Sequence, residues 1–352
     1  MNMRSAGEME LSRKRVVWID AAKGIAMILV FYGHLGEYWF PVLKTSFVVV
    51  YLFHMPLFFF LSGLFFHARY NFRELLTRRA YQLLVPYYVF SCLMLGKPIG
   101  HVLFPQIYAG KKSSVINGSA WQEILAIIFN TTNGLWFFWS LFWASIFVWI
   151  IIRILHDNKR LIVAVSILLL LCDVLVQHYI TIALPFTMNR VLSSTAYVAL
   201  GYVSREIVLG LRCTVARVVL LASVILFACV SVVFVSIAGA NWLFVQLVGV
   251  VAAVCGITMI IAFARILPPP GWLQAIGVST LVYYAFNDLM LKIFKLIAFK
   301  IFPSPMTQPW LIQITIAFAV LILSVASVYY LMPVVRKYLW WGIGMKKKVV
   351  TD

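Results

Sequence analysis

The chain has 352 residues, of which 63% are hydrophobic and 11% are charged. A soluble domain carries roughly 25% charged residues, so this composition excludes an ordinary soluble protein. Apolar runs of about 20 residues recur, which is the length of a membrane-spanning helix. A net charge of +18 suits nucleic-acid binding. However, the basic residues lie between the apolar runs, which is typical of cytoplasmic loops and contact with anionic lipid. We therefore predict an all-α polytopic membrane protein with membrane lipid, and no nucleic acid, as a partner.

About ten membrane-spanning helices are predicted from these runs. Their limits are 16–37, 45–67, 81–104, 135–155, 160–179, 188–205, 215–238, 241–265, 273–299 and 310–333. If both ends are cytoplasmic, 20 of the 29 Lys and Arg residues fall in inner segments and eight in outer ones. This bias predicts an N-in, C-in topology. We treat 1–352 as one transmembrane domain, with a cytoplasmic segment at 1–15 and a basic cytoplasmic tail at 334–352.

Three further features of the sequence concern its cysteines, its first span and its longest outer segment. The five cysteines all lie in or beside apolar runs and form no CxxC pair, so we expect neither disulfides nor a metal site. The first span is interpreted as retained, because no small-x-small cleavage site follows it. The longest outer segment, 105–133, either caps the outer face or binds an acceptor, or it is a plain connector.

The first span carries four ionisable residues, Asp20, Lys23, His34 and Glu37. Lys23 and His34 are eleven residues apart, so on a helix they share one face about 16 Å apart. Charged groups in a bilayer cost several kcal/mol unless they face the protein interior or a wet cavity. Histidine is suited to proton transfer near neutral pH, although a packing histidine is the alternative. Lys23 and Asp20 form either an interfacial salt bridge or a cationic mouth for an anionic substrate.

Basic and histidine residues also mark the second and third spans. His54 lies about four residues inside a span that is otherwise free of charge. Arg73, Arg78 and Arg79 precede the third span on its predicted cytoplasmic side. The three arginines either determine topology or clamp the phosphates of a nucleotide-type donor, since guanidinium groups suit phosphate.

The later spans contribute four more polar or aromatic candidates. Trp136 belongs to an aromatic cluster at the outer start of the fourth span, which is an interface belt or a sugar-stacking platform. Arg190 opens the sixth span on the outer side. Asn287 and Asp288 lie in the middle of the ninth span. A carboxylate there needs a partner, either the histidine of the first span or Lys292 one turn away.

Six segments, in this order along the chain, resemble the acyltransferase-3 family of integral membrane acyltransferases, in particular its polysaccharide O-acetyltransferases. They are IDAAKGIAMILVFYGH (19–34), FHMPLFFFLSGLFF (53–66), RRAYQLLVPYYVF (78–90), LWFFWSLF (135–142), LPFTMNRVLSSTAYVALGYVSRE (184–206) and IGVSTLVYYAFN (276–287). The first two are specific, especially because a basic residue precedes the histidine by eleven positions. The later segments are weak when taken singly.

The resemblance implies an acyl-CoA donor that enters from the cytoplasm and a sugar acceptor on the far side. It implies that His34 is the catalytic base or a transient acyl carrier. Lys23 stands where the family usually has arginine, and Arg78 and Arg79 match the family's basic cluster. Asn287 falls where many relatives have histidine or asparagine. The resemblance also implies a bacterial inner membrane.

The resulting hypothesis is an O-acetyltransferase that moves acetyl from acetyl-CoA to a hydroxyl of an exported or cell-envelope glycan. Acetyl-CoA is then a substrate, and no permanently bound cofactor is expected. CoA would lie near Lys23 on the shared face of the first span, and Asp20 or Glu37 would orient the His34 ring or change its pKa. The alternatives are a transporter or flippase of glycan intermediates, or a non-catalytic partner in glycan export. Transporters tend to have internal repeats and broken helices, and the sequence predicts neither.

Overall fold

The computed structural model describes residues 16–94, 120–131, 135–180, 182, 184–237, 239–302 and 308–344. This part of the chain is helical and contains no β-strand. The α-helices are α1 (Val17–Gly33), α2 (Lys44–Tyr51), α3 (His54–Leu64), α4 (Phe72–Arg79), α5 (Val85–Met94), α6 (Ala120–Ile128), α7 (Trp136–Ile154), α8 (Lys159–Tyr179), α9 (Val191–Leu209), α10 (Cys213–Ser236), α11 (Trp242–Ile266), α12 (Gly271–Val278), α13 (Thr280–Ile301) and α14 (Trp310–Tyr338). Short 3₁₀ segments cover Pro41–Leu43 and Pro185–Arg190, and a π-helical segment, Ala80–Leu84, joins α4 to α5.

Six helical segments of the described residues are long and apolar enough to cross a membrane. They are Pro41–Leu64, Trp136–Ile154, Lys159–Tyr179, Cys213–Ser236, Trp242–Ile266 and Trp310–Tyr338. The chain is therefore an all-α integral membrane protein. The other predicted spans are shorter or more polar: α1 has 17 residues, and α13 carries Asp288 and three lysines. The predicted span 81–104 continues beyond the described residues, as does most of the outer segment 105–133.

Two predicted spans are broken, although the sequence predicts each as one continuous helix. The span 45–67 is divided between α2 and α3, with Phe53 at φ −131° between them. The span 273–299 is divided between α12 and α13, with Ser279 at φ −115° and ψ 23°. The prediction of unbroken helices is wrong here. The apolar pattern continues through both breaks, so hydropathy alone does not reveal them. Because these two spans are broken, the expectation of unbroken helices no longer argues against the transporter alternative.

α1 lies at the centre of the bundle, in contact with α2, α3, α11, α12, α13 and α14. Glycine permits the closest of these contacts. A Cβ atom on Gly277 of α12 would lie 1.7 Å from the Asp20 carbonyl oxygen. α3 and α9 approach each other in the same way, since a Cβ on Gly63 would lie 2.0 Å from the Val198 carbonyl oxygen. Small residues thus bring helix backbones into direct contact, as is common in membrane bundles.

α1 ends at Gly33, which is earlier than the predicted limit of residue 37. His34 is its C-cap residue, and Gly36 has a φ of +85°. This left-handed conformation favours glycine and turns the chain away from the helix axis. The expected helical face therefore extends from Asp20 to His34, but Glu37 lies beyond it.

Candidate functional site

The C-terminal end of α1, here called the His34 end, carries three neighbouring ring side chains. The ring centroid of Tyr51 lies 6.3 Å from that of His34 and 5.1 Å from that of His54. The Tyr51 hydroxyl donates a hydrogen bond of 3.2 Å to the carbonyl of Gly33. The break between α2 and α3 allows this arrangement, because it lies directly between Tyr51 and His54. The His34 side chain itself is exposed.

His54 is fully buried and hydrogen-bonds to the backbone. Its Nδ1 atom lies 2.8 Å from the carbonyl oxygen of Val50, which can only accept a hydrogen bond. Nδ1 therefore donates a hydrogen bond to this carbonyl. His54 thus packs on Tyr51, one ring away from His34.

Lys295 also lies at the His34 end, and the sequence analysis overlooked it. Its Nζ atom lies 3.3 Å from each of the carbonyl oxygens of His34 and Leu35, and 5.6 Å from the Trp39 ring centroid. The side chain is only 7% exposed. A cation at the C-terminus of a helix satisfies its unpaired carbonyls and complements its dipole. The rule that singled out Asp288 also applies to Lys295, because both lie inside the predicted ninth span.

The two polar residues predicted in the ninth span face different surroundings. Asn287 is buried, and its Oδ1 atom has no hydrogen-bond partner among the described residues. Asp288 is exposed and forms an ion pair with Lys292, one turn further along α13. Of the two partners considered for Asp288, Lys292 forms the ion pair, and His34 interacts electrostatically with the same carboxylate. Asn287 keeps an unused acceptor within the bundle.

Glu37 also forms an exposed ion pair. Its Oε2 atom lies 3.3 Å from the Nζ atom of Lys44, and both side chains are more than half exposed. Exposed pairs of this kind contribute about 0–1 kcal/mol. Glu37 thus lies in the loop after α1, next to the start of α2.

The opposite end of α1, here called the Lys23 end, gathers cations on aromatic rings. Lys23 Nζ lies 5.2 Å from the ring centroid of Phe65. The guanidinium of Arg79 lies 5.6 Å from the ring of the next residue, Phe66. Asp20 is buried one turn from Lys23, where its backbone meets α12. Lys23 and Arg79 therefore lie over the rings of two consecutive residues at the end of α3.

The three arginines of α4 are not equivalent. Arg78 stacks at 4.5 Å on Tyr70 and pairs with Glu74 at 3.8 Å. Arg73 is exposed at the start of the helix. Burial and the neighbouring charge of Arg78 lower the pKa of Arg79 to about 10, which keeps its guanidinium charged at neutral pH. Arg79 is therefore the arginine of the three that lies nearest to the bundle interior.

A cavity of about 530 Å³ runs along the junction of α4 and α5. Its lining residues are Thr77, Ala80, Tyr81, Leu84, Val85, Tyr88 and Val89. This wall carries no charged side chain and is almost entirely apolar. It suits an acyl chain or lipid better than the phosphates of a nucleotide.

A second cavity, of about 380 Å³, is next to the His34 end. It lies among α2, α3 and the five helices from α7 to α11, and its lining residues are Tyr51, Leu52, Met55, Pro56, Phe59, Trp136, Asp173, Val174, Gln177, Arg190, Ser193, Tyr197, Phe234, Gln246, Gly249, Val250 and Ala253. Tyr51 is shared between this wall and the rings around His34. The structure therefore joins Trp136 and Arg190, which the sequence analysis singled out separately, in one cavity that adjoins the His34 end.

The charged residues of this cavity are held in place by close contacts. The Arg190 guanidinium lies 4.2 Å from the ring centroid of Trp136. The backbone N–H of Ser193 donates a hydrogen bond of 3.2 Å to Asp173 Oδ1. Asp173 also interacts electrostatically with Arg190. Like Lys295, Asp173 lies inside a predicted span and could have been found by the same rule.

Comparison with known proteins gives one family and one curated relative. The acyltransferase domain of the acyltransferase-3 family matches residues 16–329. The nodulation protein NolL of Mesorhizobium japonicum is 30% identical over 162 residues, which is 43% of this chain and 38% of NolL. The matched region thus covers well under two thirds of that relative. No solved structure matches the chain significantly. The family match covers most of the chain and includes every candidate residue described above, so the protein belongs to the acyltransferase-3 family.

Proposed function

We propose that the protein is an O-acetyltransferase that moves an acetyl group from cytoplasmic acetyl-CoA to a hydroxyl of an exported or cell-envelope glycan. The observation that carries this proposal is the distribution of residues along α1. Lys23 and the neighbouring Arg79 provide cations at one end. His34 provides an imidazole at the other end, next to Tyr51, which lines a cavity.

The Lys23 end would bind the anionic part of the donor. The phosphates of CoA need cations, and guanidinium forks bind phosphate through paired hydrogen bonds. Arg79 and Lys23 supply this charge, and Arg78 and Arg73 add to it from α4. The thioester would then extend along α1 toward His34.

The His34 end would carry out the transfer. A sugar hydroxyl attacks the thioester carbonyl, and His34 takes the hydroxyl proton as the new C–O bond forms. The C–S bond then breaks, and the proton passes to the departing thiolate to give free CoA. Lys295 holds the backbone at His34 and Leu35 through one carbonyl contact with each, so it acts as a positioning residue.

The remaining features of the proposal concern the membrane. Both termini would face the cytoplasm, with about ten spans crossing a bacterial inner membrane. The whole of 1–352 would form a single domain. This topology puts the Lys23 end at the side where acetyl-CoA is available and the His34 end at the side of the glycan.

The test uses purified protein in nanodiscs with acetyl-CoA labelled in the acetyl group and a crude envelope glycan fraction as acceptor. We expect label to pass to glycan, and CoA to be released, in wild type. His34→Ala should lower the rate at least about 100-fold, since a general base contributes about 10²–10⁴-fold. His178→Ala is the matched control, because this histidine is exposed and stacks on Trp242.

Equal rates in wild type and His34→Ala would disprove the proposed role of His34. An absence of both acetyl-CoA binding and turnover would disprove the enzyme proposal and favour a transporter or a non-catalytic export partner.

A further inference from the structure

We propose that the cavity beside the His34 end binds an uncharged sugar unit of the acceptor and discriminates against acidic sugars. This inference rests on the proposed function, because it assigns the acceptor site of the same reaction. The cavity is defined by the residues given above and has a volume of about 380 Å³. Small-molecule sites usually have volumes of about 300–1,000 Å³, so one or two sugar rings fit.

The charges of the cavity support an uncharged ligand. Asp173 is the acidic residue of the lining and Arg190 the basic one, and they interact with each other. The pair therefore has no net charge. An acidic sugar would bring a second carboxylate beside Asp173, and like charges at close range are strongly unfavourable in a partly buried site.

The hydrogen-bonding groups of the cavity suit hydroxyl groups. The Asp173 carboxylate accepts from Ser193 and Gln177, and an ionised carboxylate has about four acceptor positions, so some remain for a ligand. Gln177 Nε2 also donates to the Asn189 carbonyl at 2.8 Å. Gln246 adds an amide from the facing helix α11. Amides and carboxylates that converge in this way can bind several vicinal hydroxyls.

The other walls are apolar and aromatic. Trp136, Phe59 and Met55 line the cavity, and the Trp136 and Phe59 ring centroids are 6.1 Å apart. Arg190 stacks on Trp136 and fixes its ring. The C–H faces of a pyranose ring pack well against such surfaces. This combination of flat apolar walls and a few fixed polar groups is typical of small-molecule sites.

The segment that carries Arg190 is strained. Phe186 and Thr187 have φ values of 55° and 56°, which are unfavourable for bulky and β-branched residues. Thr187 is buried, and its hydroxyl bonds to that of Ser140 at 2.9 Å. Backbone strain of this kind persists where surrounding contacts enforce it, often at binding sites. Here it determines the direction in which the chain enters α9 and delivers Arg190 to the cavity.

The experiment measures saccharide binding to the full-length protein in nanodiscs without acetyl-CoA. The probes are a neutral cello-oligosaccharide and an oligogalacturonide of the same length. We expect wild type to bind the neutral probe at least about tenfold more tightly. Asp173→Asn leaves Arg190 uncompensated and should reverse the preference toward the oligogalacturonide. Gln246→Ala, an uncharged change in the facing wall, should weaken neutral binding about fivefold.

The control is His178→Ala, which lies next to Gln177 in sequence but does not line the cavity. It should bind both probes as wild type does. The inference would be overturned if wild type did not bind the neutral probe or preferred the acidic one. It would also be overturned if Asp173→Asn kept the wild-type preference and Gln246→Ala kept the wild-type affinity. Because the assay needs no turnover, failed acetyl transfer with intact neutral binding would count against the proposed function alone.

Discussion

The two ends of α1 are built differently. At the Lys23 end the helix meets α12 backbone to backbone, and a Cβ atom on Gly24 would lie 2.4 Å from the Leu273 carbonyl oxygen. At the His34 end a Cβ on Gly33 would meet the Tyr51 ring at 3.4 Å, which is an ordinary contact. One end is thus closed by direct helix packing, whereas the other is surrounded by side chains and a cavity.

The cations at the two ends also differ in their surroundings. Lys23 and Arg79 are partly buried and lie over the rings of Phe65 and Phe66. Lys295 is buried and directs its ammonium group at two backbone carbonyls. The cations at the Lys23 end therefore suit ligand binding, whereas Lys295 at the His34 end holds the protein's own backbone.

The largest expected effect concerns the close packing at the Lys23 end. Gly277→Ala would place a methyl group 1.7 Å from the Asp20 carbonyl oxygen, so α1 and α12 must separate. We expect the free energy of unfolding to fall by about 3 kcal/mol or more. Thermal unfolding and size-exclusion profiles in detergent measure this effect. The control is Gly271→Ala, since no atom lies within 4 Å of that Cβ position; equal stability of both variants would contradict the packing account.

The next effect concerns the positioning role of Lys295. Lys295→Met removes both carbonyl contacts and lets His34 shift. We expect kcat to fall about 100-fold, because a misplacement of about 1 Å has this effect, while KM for acetyl-CoA stays unchanged. Lys295→Arg should restore part of kcat, since it keeps the charge and the donors. A rise in KM for acetyl-CoA without a fall in kcat would move Lys295 to the donor site.

A smaller effect is expected at the Lys23 end. Arg79→Gln removes a cation assigned to the phosphates of CoA. We expect KM for acetyl-CoA to rise about tenfold, because a hydrogen bond to a charged group contributes about 1.5–3 kcal/mol, while kcat changes little. Arg217→Gln, an exposed arginine of α10, is the charge-matched control. A fall in kcat with an unchanged KM would contradict the separation of roles between the two ends.

The smallest effect concerns charges away from both ends. Lys159 Nζ lies 2.8 Å from Glu206 Oε1, and both side chains are substantially exposed. Lys159→Met should lower the unfolding free energy by only about 0–1 kcal/mol. Transfer activity should equal that of wild type. A large loss of activity would show that the sites extend beyond the two ends of α1.

The sequence was sufficient to predict the helical membrane fold and a first helix around which other helices pack. The spacing of Lys23 and His34 places them on one face, and the structure leaves both at accessible ends of that helix. Charged residues inside apolar runs can also be identified from the sequence as candidate site residues. The same rule, applied to every predicted span, would have identified Lys295 and Asp173 as well.

Other features depend on contacts that no local pattern reveals. The breaks at Phe53 and Ser279 lie within continuous apolar runs, so hydropathy does not mark them. The cavity combines side chains from α2, α3 and the helices from α7 to α11, which are far apart in sequence. Its charge pair, Asp173 and Arg190, exists only after those helices pack.

The most direct test of the account is a vectorial assay in sealed proteoliposomes of known protein orientation. Labelled acetyl-CoA is supplied only at the face that carries the Lys23 end, and a glycan acceptor only at the face that carries the His34 end. The account predicts release of CoA at the first face and labelled glycan at the second, with both lost in His34→Ala. Labelled glycan formed only when donor and acceptor share one face would contradict transfer along α1.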